Sequence, residues 1–302
     1  TSTNSSIGLI YALKKILLFN IMKILLMGDT GSLGRQFKKL FLTKKVNFYS
    51  INRKKKNFKF NFTNLKKTID KQKPHLIINC IGLTGLIYCQ NKKKEAYEVN
   101  SRIPQKILKL IKRTKIRFIH FSTEAVFKGN KLNKIYSEKD NPKPGSTYGR
   151  SKYDADKKIL KTPNTFIIRL PLLYGPTNNK QIVSKLLKLL KNKKKIFVAD
   201  DVYSTPLYTP EVCEFVYKNF VKNQKKIETN LIHFTGSKLI SMYKLIFELS
   251  KSIPGVNYKK IIRVKDSYFK TGIKIKPKNL GLTSKNRSYI KAINYRVGKY
   301  LV

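Results

Sequence analysis

Tyr148 and Lys152 stand four residues apart in Tyr148-Gly149-Arg150-Ser151-Lys152. On a helix this spacing puts a phenol and an ammonium on one face. A phenol is a poor acid at neutral pH, with an ordinary pKa near ~10. A cation beside it favours the phenolate and lowers that value. Such a pair suits proton donation to a carbonyl oxygen whose carbon receives hydride from a nicotinamide. Lys152 then has a second use, a hydrogen bond to the nicotinamide ribose. About 25 residues upstream, Ser122-Thr123 follows an apolar run, and the Thr123 hydroxyl can donate to the same carbonyl oxygen. Tyr-x-x-x-Lys alone is common on helix surfaces, the more so in a chain with 55 lysines. Its weight comes from what precedes it.

The hydride source needs a cradle, and Gly28-Asp29-Thr30-Gly31-Ser32-Leu33-Gly34 offers one. The apolar run 24–27 reads as a short buried parallel strand, stopped by Gly28. Leu33, Phe37, Leu40 and Phe41 then share one face of a helix. Glycines let the backbone turn sharply and approach a pyrophosphate, and the helix N-terminus offers that anion N–H groups and partial positive charge. Thr30, Gly31, Ser32 and Leu33 are therefore expected at the cofactor, with Gly28 and Gly34. The three-residue spacing departs from the usual G-x-G-x-x-G fingerprint. A glycine turn without a ligand is the plain alternative. A second strand, 46–51, ends at Asn52-Arg53-Lys54-Lys55-Lys56. An acid at that tip would bind the 2′-hydroxyl of NAD, whereas a base accommodates the 2′-phosphate of NADP. Arg53 and its lysine neighbours favour NADPH, with NADH as the alternative. A third strand, 76–80, ends at Asn79-Cys80-Ile81, which would pass the cofactor.

Other elements must position these groups. A short helix over 65–71 follows Asn61. A long helix spans 95–113, with Ala96, Val99, Ile103, Ile107 and Leu110 at helical spacing and Asn100 within it. A fourth strand, 116–121, leads into Ser122-Thr123. Ser146 and Thr147 are caps for the helix that carries Tyr148 and Lys152. A fifth strand, 166–170, precedes the turn Tyr174-Gly175-Pro176. Helices over 182–190, 209–221 and 242–251, and strands over 196–198 and 231–234, follow less regularly. Strands alternating with helices predict an α/β fold, a doubly wound parallel sheet of the Rossmann type. A smaller C-terminal substrate lobe would lie over the strand C-termini. Residues 22–175 and 212–236 are assigned to the dinucleotide-binding domain, and 176–211 and 237–302 to the substrate lobe. Residues 1–21 are read as an extension outside the fold, since Met22 would be a natural start; a targeting peptide is the other reading.

Composition bounds the partners. A chain of 302 residues can bury a large core. It holds no run of about 18 apolar residues, so no transmembrane span is expected. Cys80, Cys89 and Cys213 form no C-x-x-C, as expected of reduced thiols in the cytoplasm. His75, His120 and His233 are equally scattered; they make no metal site and read as ordinary packed histidines. The formal net charge of +49 raises nucleic-acid binding as a function. Yet only ten of the 65 basic residues are arginine, and the lysines run through the whole chain. Nucleic-acid readers favour arginine forks and clustered patches. The charge is therefore read as compositional bias of the kind an A/T-rich genome imposes, a hypothesis that codon usage tests. It suits anionic substrates and implies weak, salt-sensitive adhesion to polyanions, with no specific nucleic-acid partner.

Several motifs together resemble the extended short-chain dehydrogenase/reductases and, within them, the dTDP-4-dehydrorhamnose reductase family. They are the three spaced glycines, Lys73-Pro74-His75 running to Asn79-Cys80, and Val99-Asn100. Then come Ser122-Thr123-Glu124-Ala125-Val126-Phe127-Lys128-Gly129, Tyr136-Ser137-Glu138, the Tyr148–Lys152 motif, the segment 201–211 and Pro277-Lys278-Asn279-Leu280. The resemblance runs from about residue 22 to 282. It implies a catalytic trio of Thr123, Tyr148 and Lys152. It also implies substrate contacts at Thr123, Glu124, Ala125, Thr205 and Pro206, and NADPH-dependent reduction of a nucleotide-linked 4-keto-6-deoxy sugar, giving a product of the dTDP-L-rhamnose type. Glu124 and Ala125 replace the Asp and Tyr of the family's S-T-D-Y-V-F, Leu207 stands where Thr is common, and tryptophan is absent. The dehydratase branch needs an Asp-Glu pair after the threonine, and here only Glu124 remains. An epimerase of the same superfamily stays as an alternative. So does a non-catalytic NADP-binding regulatory subunit, as in the related branch that holds the methionine adenosyltransferase beta subunit. The sequence leaves the oligomer open, with a homodimer as one option.

Overall fold

The computed structural model describes residues 22–51, 60–132, 134–176, 181–192, 194–224, 227–270 and 277–295. Strands β1 (Ile24–Met27), β2 (Phe48–Ile51), β3 (Leu76–Asn79), β4 (Arg117–Thr123) and β5 (Thr165–Leu170) join the later strand Leu231–His233 in one sheet. The order across it is β2-β1-β3-β4-β5 and then Leu231–His233, and every neighbouring pair is parallel. This is the expected doubly wound α/β sheet. Strand order reverses between β1 and β3. That boundary is the switch point at which such sheets open a crevice beyond the strand C-termini.

Alternation along the strands sends side chains to two cores. Ile24, Leu26, Ile78, Ile119 and Ile168 face helix α1 (Ser32–Thr43), through Phe37 and Phe41, and the helix Thr209–Val216, through Val212 and Val216. Leu25, Met27, Ile77, Phe118 and Ile167 face α2 (Phe62–Gln72) through Leu65 and Ile69. Burial on both faces is why β1 and residues 76–78 of β3 read as unbroken apolar runs. Phe37 and Phe41 have no exposed surface, and burying each contributes about 1.5–3 kcal/mol. A further core forms away from the sheet. There Val183, Leu187 and Leu190 of the helix Ile182–Lys191 meet Leu245 and Leu249 of the helix Met242–Lys251. No helix among the described residues is long and apolar enough to cross a membrane.

The structure departs from the sequence expectation in several places. A short helix, α3 (Leu86–Asn91), was not expected; it starts after Gly85, whose φ is +94°. The single helix over 95–113 is instead α4 (Lys93–Tyr97), a π-helical turn Glu98–Arg102, and α5 (Ile103–Ile111). Pro104 has no N–H for the Asn100 carbonyl, which removes one α-type bond where the helix widens. The expected helix over 209–221 likewise turns π-helical at Tyr217–Lys222. Finally, β4 runs two residues further than expected, because Ser122 and Thr123 pair with Arg169 and Leu170 of β5. Thr123 therefore ends a strand and is not part of a loop.

Candidate active site

The turn after β1 is compelled by packing. Gly28 has φ +84°, and a Cβ there would stand 3.1 Å from the Cys80 carbonyl carbon and the Ile81 nitrogen at the end of β3. A Cβ on Gly34 would stand 2.1 Å from the Gly28 carbonyl oxygen, so α1 can lie this close to the turn only with glycine. Gly31 is different. Its backbone is extended and a Cβ would make only an ordinary 3.4 Å contact, so the protein itself gives no reason for a glycine there. α1 begins at the next residue, and no acidic side chain in its first turn offsets the partial positive charge of its N-terminus. Thr30, Ser32 and Leu33 lie in this turn and helix start. The crevice thus fits the pyrophosphate of a dinucleotide. Arg53, expected at the ribose, lies outside the described residues, as do all of 52–59.

Across the crevice, Asn79 ends β3. It is buried, and its Oδ1 accepts the Ile81 N–H at 3.1 Å, while its Nδ2 lies 3.0 Å from Nδ1 of His120. Cys80 is half-buried, and desolvation pushes its thiol above the ordinary range. Ile81 is buried.

Next comes the junction of β4 with α6 (Thr147–Ile159). The Ser146 hydroxyl accepts from the Gly149 N–H at 3.1 Å and fixes the helix start, as its residue type suggested. Gly149 lets α6 press on the loop after β4, because a Cβ there would stand 2.0 Å from the Ala125 carbonyl oxygen. This contact sets the Tyr148 hydroxyl beside Thr123. The Thr123 Oγ1 also accepts the Ala125 N–H at 3.2 Å. Lys152, one turn along α6, is buried, with its Nζ 3.0 Å from Nε2 of His120. Burial pushes the Tyr148 phenol up to about 12, partly offset by Thr123. The lowering expected from Lys152 is not among the influences on Tyr148, and desolvation pulls the lysine's own pKa down to about 8.

Behind the trio lies a buried network. Asp156 accepts from the Ser122 hydroxyl at 2.9 Å and from Arg169 Nε at 3.2 Å, and neither Asp156 nor Arg169 has more than 1% of its surface exposed. Both bonds fall on Oδ2, Oδ1 is buried without a hydrogen-bond partner among the described residues, and burial raises the Asp156 carboxyl against the pull of Arg169.

Beside Thr123, Glu124 accepts from the Ser204 hydroxyl at 2.6 Å, and burial pushes its carboxyl up to about 8. The two sit in a cleft of about 70 Å³ with Leu172, Pro206, Met242 and Leu280. Of the residues expected at the substrate, Glu124 and Pro206 line this cleft. Ala125 is buried under Gly149. Thr205 is 2% exposed, its hydroxyl 2.6 Å from that of Thr235 and accepting the Leu282 N–H at 3.0 Å. One segment, 277–284, stitches the cleft together. The Asn279 amide bonds to the carbonyls of Lys131, Leu132 and Lys134, the Tyr203 N–H bonds to the Lys278 carbonyl, and the Tyr136 N–H to the Gly281 carbonyl.

His120, Ser204 and the Asp156–Arg169 pair were not singled out from the sequence. Only His120 left a trace there, as a polar residue within an apolar strand. Among the described residues no three His, Cys, Asp or Glu side chains group so as to hold a metal ion.

Comparison with known proteins agrees with this geometry. The profile described as the RmlD substrate binding domain matches residues 22–286. The chain is 28% identical over 230 residues to a dTDP-4-dehydrorhamnose reductase of Aggregatibacter actinomycetemcomitans, covering 73% of this chain and 76% of that one. It superposes with a TM-score of 0.73 and 25% identity on a solved dTDP-4-dehydrorhamnose reductase of Clostridium acetobutylicum, over 87% of this chain and 90% of that one. The TM-score is 0.79 at 21% identity for the Bacillus anthracis enzyme solved in complex with NADP, over 92% and 97% of the two chains.

Proposed function

The chain belongs to the RmlD substrate binding domain family, and from that premise we propose that it is an NADPH-dependent reductase of a nucleotide-linked 4-keto-6-deoxy sugar, of the dTDP-4-dehydrorhamnose reductase type. The observation that carries the reading is the meeting of Thr123, Tyr148 and Lys152 beside the crevice between β1 and β3. NADPH, when bound, supplies the hydride. Gly28, Gly31 and Gly34 with the start of α1 would hold its pyrophosphate; Asn79, Cys80 and Ile81 would border it, and Arg53 would meet its 2′-phosphate. Tyr148 gives its phenolic proton to the sugar's carbonyl oxygen as that oxygen gains charge. A phenol kept protonated by burial is in the right state to do so. Thr123 donates a second hydrogen bond to the same oxygen. Lys152, once charged, holds the ribose and stabilises the phenolate left behind. Glu124 and Pro206, in the cleft beside the trio, would contact the sugar. The reading includes the division into a dinucleotide-binding domain and a substrate lobe, work in the cytoplasm and no specific nucleic-acid partner, with a homodimer as the assembly to examine by sedimentation.

The test is oxidation of NADPH over a panel of nucleotide-linked 4-keto-6-deoxy sugars. Stoichiometric oxidation with a dTDP-linked 4-keto sugar is expected. Interconversion of sugars without net oxidation would make the chain an epimerase. Tight NADPH binding with no turnover of any sugar would favour the regulatory subunit.

A further inference from the structure

His120 has no exposed surface, yet both its ring nitrogens are engaged, one by β3 and one by α6. The hydrogen-bond network fixes which nitrogen carries the proton. The Asn79 Oδ1 accepts the Ile81 N–H at 3.1 Å, so the amide's other end, Nδ2, faces Nδ1 of His120 as a donor. Nδ1 must therefore accept. A neutral imidazole then has its proton on Nε2, 3.0 Å from the Lys152 amine. An Nε2–H needs a lone pair opposite it, and a lysine has one only when uncharged. To charge Lys152, the ring must move its proton to Nδ1, where it meets the Asn79 N–H, or Asn79 must turn over and abandon the Ile81 N–H. Each route breaks a buried hydrogen bond. Burial keeps the imidazole itself neutral, which closes the remaining route.

We infer that His120, set by Asn79, is a positioning residue that acts through Lys152: it presents an N–H to the uncharged amine and so raises the cost of charging it. The inference rests on the proposed reductase reading for its functional part, since there the charged lysine serves ribose and phenolate. Other groups also act on Lys152. Asp156 on its own helix favours the charged form, as does Cys80 just past β3, while Arg169 of β5 holds Asp156. None of these dictates the tautomer.

The first measurement uses the unaltered protein without ligands. Nitrogen-15 NMR of the histidine rings above about pH 8, where Lys152 is uncharged, should find His120 neutral, with Nε2 protonated and Nδ1 bare; the opposite tautomer there overturns the inference whatever the enzyme's substrate. The second is the pH profile of kcat/KM for NADPH, which reports ionisations of the free enzyme. The alkaline limb should follow Lys152, near about 8. Asn79→Leu frees the ring to place its proton on Nδ1 and accept from the ammonium, so the limb should move up by about one pH unit, the worth of one buried hydrogen bond. With His120→Phe already present, Asn79→Leu should move it no further. An unmoved limb in Asn79→Leu, or an equal shift in the His120→Phe background, overturns the inference. If the unaltered protein reduces no 4-keto sugar, the reductase reading fails, while the ring measurement still decides the tautomer.

Discussion

At the scale of single residues, the trio divides its work unequally, and substitutions should rank accordingly. Tyr148→Phe keeps the ring and removes the transferable proton. Folding and NADPH binding should survive, and turnover should fall ~10²–10⁴-fold. Lys152→Met should damage cofactor affinity as well as rate. Thr123→Val should cost less than Tyr148→Phe, since it removes one donor, worth up to ~10²-fold. Steady-state kinetics on the three variants check the order, and near-normal reduction by Tyr148→Phe would make that tyrosine an ordinary helix residue. Glu124 gives a prediction on stability. Its carboxyl sits at about 8 in the folded protein against an ordinary 4.5, so the folded state binds a proton that the unfolded chain has released. The stability it contributes is full below pH 4.5 and is lost as the pH rises through about 8. Thermal midpoints from pH 4.5 to 8 should therefore fall more steeply for the natural protein than for Glu124→Gln. Parallel curves would show that the folded protein holds no extra proton there.

At the scale of elements, the trio is aligned by one close approach, α6 on the Ala125 carbonyl. Gly149→Ala introduces a Cβ where only 2.0 Å is available against backbone. Overpacking of this kind costs about 1–3 kcal/mol. Thermal denaturation should record that loss, and activity should drop further than stability alone would dictate because Tyr148 is carried off Thr123. Unchanged kinetics would mean that the approach aligns nothing. What the sequence disclosed about these elements follows from how local their causes are. The runs that became β1 and β3 are apolar throughout because both faces are covered, and the Ser146 cap acts within three residues. The π-helical turn was hidden because Val99, Ile103 and Ile107 keep helical spacing straight through it, and all are buried; Pro104 alone hinted at the break. α3 is short and leaves Ile87 and Tyr88 exposed, so it has little apolar face to betray it. The partners of His120 and Thr205 were hidden for the opposite reason. They lie 41 and 32 residues away for His120, and 30 and 77 for Thr205, beyond the reach of periodicity.

At the scale of the whole molecule, the charge of +49 is spread over the surface of a fold whose site needs only a few of those cations. Binding to heparin or duplex DNA should be weak, indifferent to sequence, and lost between low and physiological salt, as titration by fluorescence anisotropy would show. Tight binding of one DNA sequence at physiological salt would instead make the chain a nucleic-acid reader. The segment 277–284 carries a different consequence. Asn279 grips carbonyls 145 to 148 positions earlier in the chain. A growing polypeptide leaves the ribosome from its N-terminus at about 5–20 residues per second. All six strands of the sheet have been made by residue 233, tens of residues before this clasp exists. During synthesis there is thus a window of seconds in which the cofactor crevice is assembled while the sugar cleft lacks its last wall. A nascent chain halted in that window should grip NADPH and turn nothing over, and its open apolar cleft is where a chaperone would find it.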